Sequence, residues 1–316
     1  MELFSRSPET PALVIGGAGV DIVGRLKSEP RPGTSNPGQI RTSFGGVARN
    51  VAENLARLGQ PVCLISVVGD DEPGERLLQG LAQAGVDTSG VLRTSSQATG
   101  SYLAVVSSGG EFHFGLDDMG AMQELSSEHI LAFEALFKQA STLFIDANIP
   151  KDTLRTIMSL AKKNRLPVCA DPTSVVLAPR LRPYLNRLAL ITPNSAEAAI
   201  LCDPNVKVST RRQALAAAKA LVGMGVQIAI LTLAEQGLCY ATSETSGYIP
   251  AIRTEIVDPT GAGDALAATV IFALLNEIPL DDAVRLGVSA ASLTLRQRGA
   301  VVPDLSLEKL YDQLVI

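Results

Sequence analysis

The chain has 316 residues, 46% of them hydrophobic and 19% charged, which suits a packed core and is too apolar for a disordered chain. At about 150 residues per domain, this length fits two units or one large α/β unit. Lys plus Arg (27) against Asp plus Glu (32) gives a net charge of −5, which argues against a nucleic-acid or anionic-membrane surface as the main partner.

In chain order, the first element is a short apolar run, Ala12 to Gly16, ending in the turn Gly16-Gly-Ala-Gly-Val-Asp21. Lys27 to Ser43 is rich in Pro, Gly, Ser and Thr, with a β-compatible end at Gln39 to Thr42. Gly45-Gly-Val-Ala-Arg-Asn50 then opens a helix whose Val47, Val51, Leu55 and Leu58 recur every three or four residues. Val62 to Val68 reads as a strand, and Thr99 to Leu116 as two strands about the turn Ser107-Ser108-Gly109-Gly110. Buried strands follow at Leu143–Ile145, Pro167–Ala170, Ala189–Thr192 and Ile228–Leu233, with a helix through Leu215, Ala218, Leu221 and Val222 before the last. Asp258-Pro-Thr-Gly-Ala-Gly-Asp264 feeds the helical run Ala265 to Leu275, and Val284, Val288, Ala291 and Leu295 mark one more helix. Strands alternating with helices predict an α/β fold with a mostly parallel sheet. The two irregular stretches, Lys27–Ser43 and Thr99–Leu116, read either as strands of a small second sheet or as ordinary surface excursions.

Cys63, Cys169, Cys202 and Cys239 lie far apart in apolar stretches and read as buried free thiols in a reduced compartment. His113 and His129 cannot build a zinc site without many carboxylates. Ala265–Leu275 is too short to span a bilayer, and the opening MELFSRSPETPA lacks the apolar stretch of a signal peptide. A cytoplasmic protein without membrane or nucleic-acid partners is expected.

The chemistry concentrates at Asp258–Asp264. A Gly-Ala-Gly turn before a helix leaves main-chain N–H groups unpaired, and with the positive end of the helix dipole these make an anion site. Small residues let a phosphate approach the backbone. Asp264 in the first turn would sit beside that anion, either as an acceptor of a hydroxyl proton or as a helix cap. Gly45–Asn50 is a second tight turn before a helix, read as a simple helix start or as a place where Asn50 meets a polyhydroxylated ligand. Gly16–Asp21 lacks the third glycine of a dinucleotide fingerprint, since Ile22 stands there, so it is a weak dehydrogenase signal. Asp21, read at the carboxyl end of the first strand, is placed instead to hold sugar hydroxyls. No G-x-x-x-x-G-K-[ST] occurs, which excludes a P-loop kinase.

Gly45–Asn50 and Asp258–Asp264 resemble, in order and separation, the two signature regions of the ribokinase (PfkB-type) family of carbohydrate and nucleoside kinases. Thr192-Pro-Asn194-Ser-Ala-Glu197 is similar to the family's N-x-x-E motif, and Leu231 to Gly237 to its nucleotide-phosphate turn. By themselves these two would be a helix start and a hairpin turn. The resemblance covers essentially the whole sequence and implies one ribokinase-like three-layer α/β/α unit over 1–316, with a small β-sheet lid formed by about 22–44 and 97–119. It implies an ATP- and Mg²⁺-dependent kinase in which Asp264 is the base and Gly261, Ala262 and Gly263 form the anion hole. Asn194 and Glu197 would act through Mg²⁺ and its waters, and Thr232 and Gly237 would contact ATP. Asp21, Gly45, Gly46, Asn50 and Asn148 would bind the acceptor, while Asp258 and Thr260 match positions that hold K⁺ in potassium-activated members. The lid implies a homodimer. Pro259 stands where many members have Thr, and Ala234 where many have Gly.

Within the family, Ser35 to Gly59, and Ser101-Tyr-Leu followed by a hairpin ending in Asp117-Asp118-Met119, are similar to the subgroup that acts on pseudouridine. The likeness implies transfer to the 5′-hydroxyl of that nucleoside, with Ser101, Tyr102 and Asp118 sensing the uracil ring. Another ribonucleoside, ribose or a related sugar is the alternative acceptor. A non-catalytic ligand-binding protein on the same fold is a more distant one.

Overall fold

A computed structural model describes residues 4, 6–7, 9–203 and 207–314, apart from the side chain of Phe112; Met1–Leu3, Ser5 and Pro8 of the N-terminal stretch lie outside them. The first half runs β1 (Ala12–Ile15), β2 (Gly19–Leu26), β3 (Gly38–Gly45), α1 (Val47–Arg57), β4 (Val62–Ile65), β5 (Val67–Gly69), α2 (Glu72–Gln83), β6 (Val86–Asp87), β7 (Leu92–Thr94), β8 (Gly100–Val106) and β9 (Phe112–Asp118). Then come α3 (Ser127–Ala132), α4 (Glu134–Gln139), β10 (Leu143–Asp146), α5 (Lys151–Lys163), β11 (Val168–Asp171), β12 (Leu188–Ile191), α6 (Ser195–Cys202) and α7 (Arg211–Gly223). The last part is β13 (Ile228–Thr232), β14 (Leu238–Ala241), β15 (Ser246–Ile249), α8 (Ala262–Leu275), α9 (Leu280–Leu295) and α10 (Leu307–Leu314).

Aliphatic four- and five-residue runs such as β1, β10 and β12, buried on both faces, form the middle of a nine-stranded sheet in the order β15-β14-β13-β12-β11-β10-β1-β4-β6, which ends in the half-buried β15 and the two-residue β6. It is parallel from β13 to β6 and turns antiparallel only at β14 and β15. Alternation along β1 divides the core: Ala12 and Val14 join a cluster with residues of α1, α8 and α9, whereas Leu13 and Ile15 join one with α5 and α7. The result is the three-layer α/β/α fold with a separate small sheet. Strand order reverses between β1 and β10, and a crevice outside the carboxyl ends of strands at such a point is where open α/β sheets bind ligands. Helix α8 is apolar all round because it is clamped between α1 and α9, with Ala265 to Ala273 buried throughout.

Three expectations need correction. The run Val62–Val68 is two strands: Ser66 donates its hydroxyl to the Gly16 carbonyl at 2.6 Å, and β5 leaves the main sheet to pair with β7. Asp21 does not end the first strand, since β1 stops at Ile15; Asp21 is the third residue of β2, in the small sheet. The β-compatible end at Gln39–Thr42 is the middle of an eight-residue strand, drawn out by its full pairing with β2 from Gly19↔Gly45 to Leu26↔Gly38. The small sheet has the order β3-β2-β8-β9. All four cysteines are free thiols, with Cys202 only half-buried.

Candidate active site

Gly261 precedes helix α8 as its N-cap, with a left-handed φ of 79°; a Cβ there would also overlap the main chain of Ala300. No side chain caps the helix, so the first N–H groups of α8 are left for a ligand. Gly263 has nothing near its missing Cβ and opens onto solvent. Gly261, Ala262 and Gly263 thus form a bare main-chain cradle of the kind that takes anions.

Asp264 lies in the first turn above this cradle. Asn50, on α1, donates its Nδ2–H to Asp264 Oδ2 at 2.7 Å across 214 positions of sequence. Burial, and then the carboxylates of Asp21 and Asp146, push the Asp264 carboxyl up to about 7; the Asn50 hydrogen bond and the Arg49 charge oppose them. Asp21 is itself raised to about 6, chiefly by burial, against the attraction of Arg49. Its carboxylate lies over Gly45, where a Cβ would overlap it, and the 95° φ of Gly46 lets α1 start hard against the Gly17 carbonyl. The two glycines are therefore what bring Asn50 and Asp21 to Asp264.

Sequence reasoning missed Asp146 and Asp171, at the carboxyl ends of β10 and β11. Asp146 is wholly buried and accepts from three main-chain amides: Gly17 at 2.7 Å, Asn148 at 2.9 Å and Ala48 at 3.1 Å. It staples the turn after β1, the first turn of α1 and its own loop together. The side chain of Asn148 packs on Gly17, and Arg180 holds the Ala147, Asn148 and Ile149 carbonyls at 3.0–3.2 Å. Asp171 accepts from Thr173 N–H and the Thr192 hydroxyl, and its carboxyl is raised well above the usual range by burial and by Glu197 and Asp264. Only the position of such acids at strand ends, in sequences like Ile145-Asp146 and Ala170-Asp171, could have flagged them.

Asn194 and Glu197 form a capping box on α6: Asn194 Oδ1 accepts from the Ala196 and Glu197 amides, and Glu197 Oε2 from the Asn194 amide. Burial raises the Glu197 carboxyl. Asn194 bridges to Thr232, and both line a cavity of about 770 Å³. Its walls include Gly237, Ile252, Ile256, Pro259, Gly263, Leu266 and Val288. Ala262 and Gly263 of the α8 cradle belong to its wall and the lining is mostly apolar, which suits a flat ring system with an anionic tail. Nothing in the sequence marked residues 251–256, and Val288, Ala291 and Leu295 were legible only as one face of a helix. Ala234, in the turn beside the cavity, carries a left-handed φ of 49°, where glycine would be unstrained. Asp258 accepts from the Thr260 and Gly299 amides, which fixes the loop below the cradle to the turn after α9.

Pairing in the small sheet decides which of its residues face the site. Asp21, Tyr102 and Asp117 lie side by side on one face, since Asp21 pairs with Tyr102 and Tyr102 with Asp117. Ser101 and Asp118 pair with each other on the opposite face, away from Asp21, because a one-residue step reverses the side chain. The sequence expectation for those two is corrected: Asp117 takes the inward position.

The fold and its site crevice place the chain in the class of ribokinase-like α/β phosphotransferases. A model described as pfkB family carbohydrate kinase matches residues 10–306, and the chain belongs to that family. It is 30% identical over 296 residues to a pseudouridine kinase of Escherichia coli K12, covering 93% of each. To a ribokinase of Haemophilus influenzae it is 30% identical over 289 residues, 91% of this chain and 92% of the relative. Among solved structures, a carbohydrate kinase from Agrobacterium tumefaciens is similar with a TM-score of 0.81 and 28% identity over 97% of both chains. The chain is accordingly a sugar or nucleoside kinase, a phosphotransferase with an alcohol acceptor. Among the described residues no helix is long and apolar enough to cross a membrane.

Proposed function

We propose that the protein transfers the γ-phosphoryl group of ATP to the 5′-hydroxyl of pseudouridine, giving pseudouridine 5′-phosphate and ADP. The observation that carries the chemistry is the Asp264 carboxyl, held by Asn50 at 2.7 Å within the uncapped first turn of α8 and raised to about 7. As the acceptor oxygen bonds to phosphorus, its proton passes to Asp264 and the bond to the ADP oxygen breaks. The amides of Gly261, Ala262 and Gly263 face the charge that gathers on the transferring group. Asp21, Asn50 and Asn148 hold the ribose hydroxyls, and the apolar cavity takes the adenine.

The residues present fit a magnesium ion. Asp171 and Glu197 face one another with raised carboxyls, yet no three ligating side chains cluster among the described residues. One or two carboxylates completed by waters and phosphate oxygens is the habit of Mg²⁺. Glu197, with Asp171, would hold it, and when bound it neutralises phosphate charge. Asp258 and Thr260 would supply oxygens to K⁺.

The choice of pseudouridine rests on the relatives of that name and on the inward face of the small sheet. Pseudouridine has one more ring N–H than uridine, and Asp117 and the Tyr102 hydroxyl offer acceptors beside Asp21. A site that uses a base edge this way strongly rejects acceptors lacking it. With ATP and Mg²⁺, kcat/KM for pseudouridine is expected to exceed that for uridine, adenosine and ribose by at least about tenfold. A higher value for ribose or adenosine would assign another acceptor, and no transfer to any would restore the ligand-binding reading.

The outward face of the same sheet supports a homodimer. Ile40 (77% exposed), Phe114 (52%) and Leu116 (62%) lie on it, an apolar surface of the kind that marks an interface. Light scattering after size exclusion is expected to give a dimer for the wild type and a folded monomer for Leu116→Asp; a monomeric wild type contradicts the assembly.

A further inference from the structure

Arg49 is a buried cation that binding of phosphate or sugar does not explain. It is 7% exposed, its partner Glu53 is 5% exposed, and its Nε has no hydrogen-bond partner. A buried ion pair with an unpaired donor is a poor source of stability, so a specific role must account for its geometry. That geometry is a fork. One arm, Nη1, donates to Asn50 Oδ1 at 2.8 Å and to the Phe44 carbonyl, on strand β3, at 3.3 Å. The other arm, Nη2, is paired with Glu53, which also holds Arg57.

An asparagine amide has two nearly equal orientations, differing by a half turn that exchanges donor and acceptor. With Oδ1 held by a guanidinium, Asn50 must turn its Nδ2–H toward Asp264, as the 2.7 Å contact shows. Were the amide reversed, Oδ1 would face the carboxylate and the two oxygens would repel. We propose that Arg49 is a positioning residue: by fixing which end of the Asn50 amide faces Asp264, it orients the reacting carboxylate and ties it to the small-sheet strand β3 through Phe44. The inference rests on Asp264 as the base. Other charges facing Asp264 are Asp21 from β2, Asp146 from β10 and Asp171 from β11, all acidic, and among the described residues Arg49 is the cation set against them.

The test uses two variants. Arg49→Met with Glu53→Gln removes both buried charges together and so avoids stranding one of them. Arg49→Lys keeps the charge but loses the planar fork. For the double variant, the melting temperature and the KM for ATP are expected to stay near wild type while kcat falls by about 10–100-fold. Its acid limb in the pH profile of kcat is expected to move up by about one pH unit, because an opposing cation has gone. Arg49→Lys is expected to keep the limb in place and to lose only part of kcat. Wild-type kcat and an unmoved limb in a folded double variant overturn the proposal. If the double variant does not fold, Arg49→Lys decides: lowered kcat with an unmoved limb supports it, and undiminished kcat overturns it. Asp264→Asn, run alongside, separates the two readings. Full turnover there removes the base itself, whereas an inactive Asp264→Asn beside an unaffected Arg49 variant removes only the positioning.

Discussion

Asp264→Asn is expected to lower kcat by about 10²–10⁴-fold, the usual size of a general-base contribution, with ATP affinity near wild type. Asparagine fills the same space, and its Oδ1 can still accept from Asn50, so the arrangement of α1 against α8 survives; what the proposed role loses is the capacity to take the acceptor's hydroxyl proton. The variant is also expected to be more stable than the wild type above neutral pH. Folding raises the Asp264 carboxyl from its ordinary 3.8 to about 7, so the folded state favours the protonated form. Its contribution to stability is fully present below about 4 and is lost as the pH rises through about 7. Thermal unfolding at pH 8 should therefore show Asp264→Asn melting above the wild type, with the difference shrinking as the pH falls from about 7 and vanishing only below about 4. A variant that melts lower at pH 8 would mean that the carboxylate is satisfied where it stands. Activity and stability thus pull apart at this residue, as expected where a carboxyl is held in an unfavourable place for its chemistry.

The second large effect is structural. Asp146→Ala is expected to cost about 3–5 kcal/mol of folding stability, since it strands three buried amide donors, those of Gly17, Ala48 and Asn148, at one stroke. Denaturant unfolding measures the loss directly. A cost below about 1 kcal/mol would show that water or a shift of the loops replaces the staple. Because the same carboxylate sets the start of α1, and hence Asn50, the surviving folded fraction should also transfer phosphate more slowly.

Much of this arrangement could be read from the chain, for definite reasons. Strands such as Leu143–Ile145 and Ala189–Thr192 are buried on both faces, so an unbroken aliphatic run is their only possible signature. The Gly-Ala-Gly turn before Asp264 announces an uncapped helix because few other sequences make one. What escaped depends on partners distant in sequence. Val62–Val68 is continuous as a pattern and is broken only by the bond of Ser66 to Gly16. The inward placement of Asp117 rather than Asp118 turns on a one-residue register between β8 and β9, which local composition does not specify. Asp146 and Asp171 look like ordinary loop acids until the amides that surround them are seen. Arg49 reads as one more helix charge, although its importance lies in the Asn50 amide and the Phe44 carbonyl at either end of its fork.

The most direct test of Asp264 as a base poised by burial is kcat/KM for pseudouridine, measured from pH 5 to pH 9 in the wild type and in Asp264→Asn. For the wild type, a rise of about tenfold per pH unit is expected, levelling off near pH 7 where the free carboxyl titrates. In the variant, the small residual rate should lack that limb. A wild-type profile that is flat through pH 7, or a variant that keeps the limb, would contradict it.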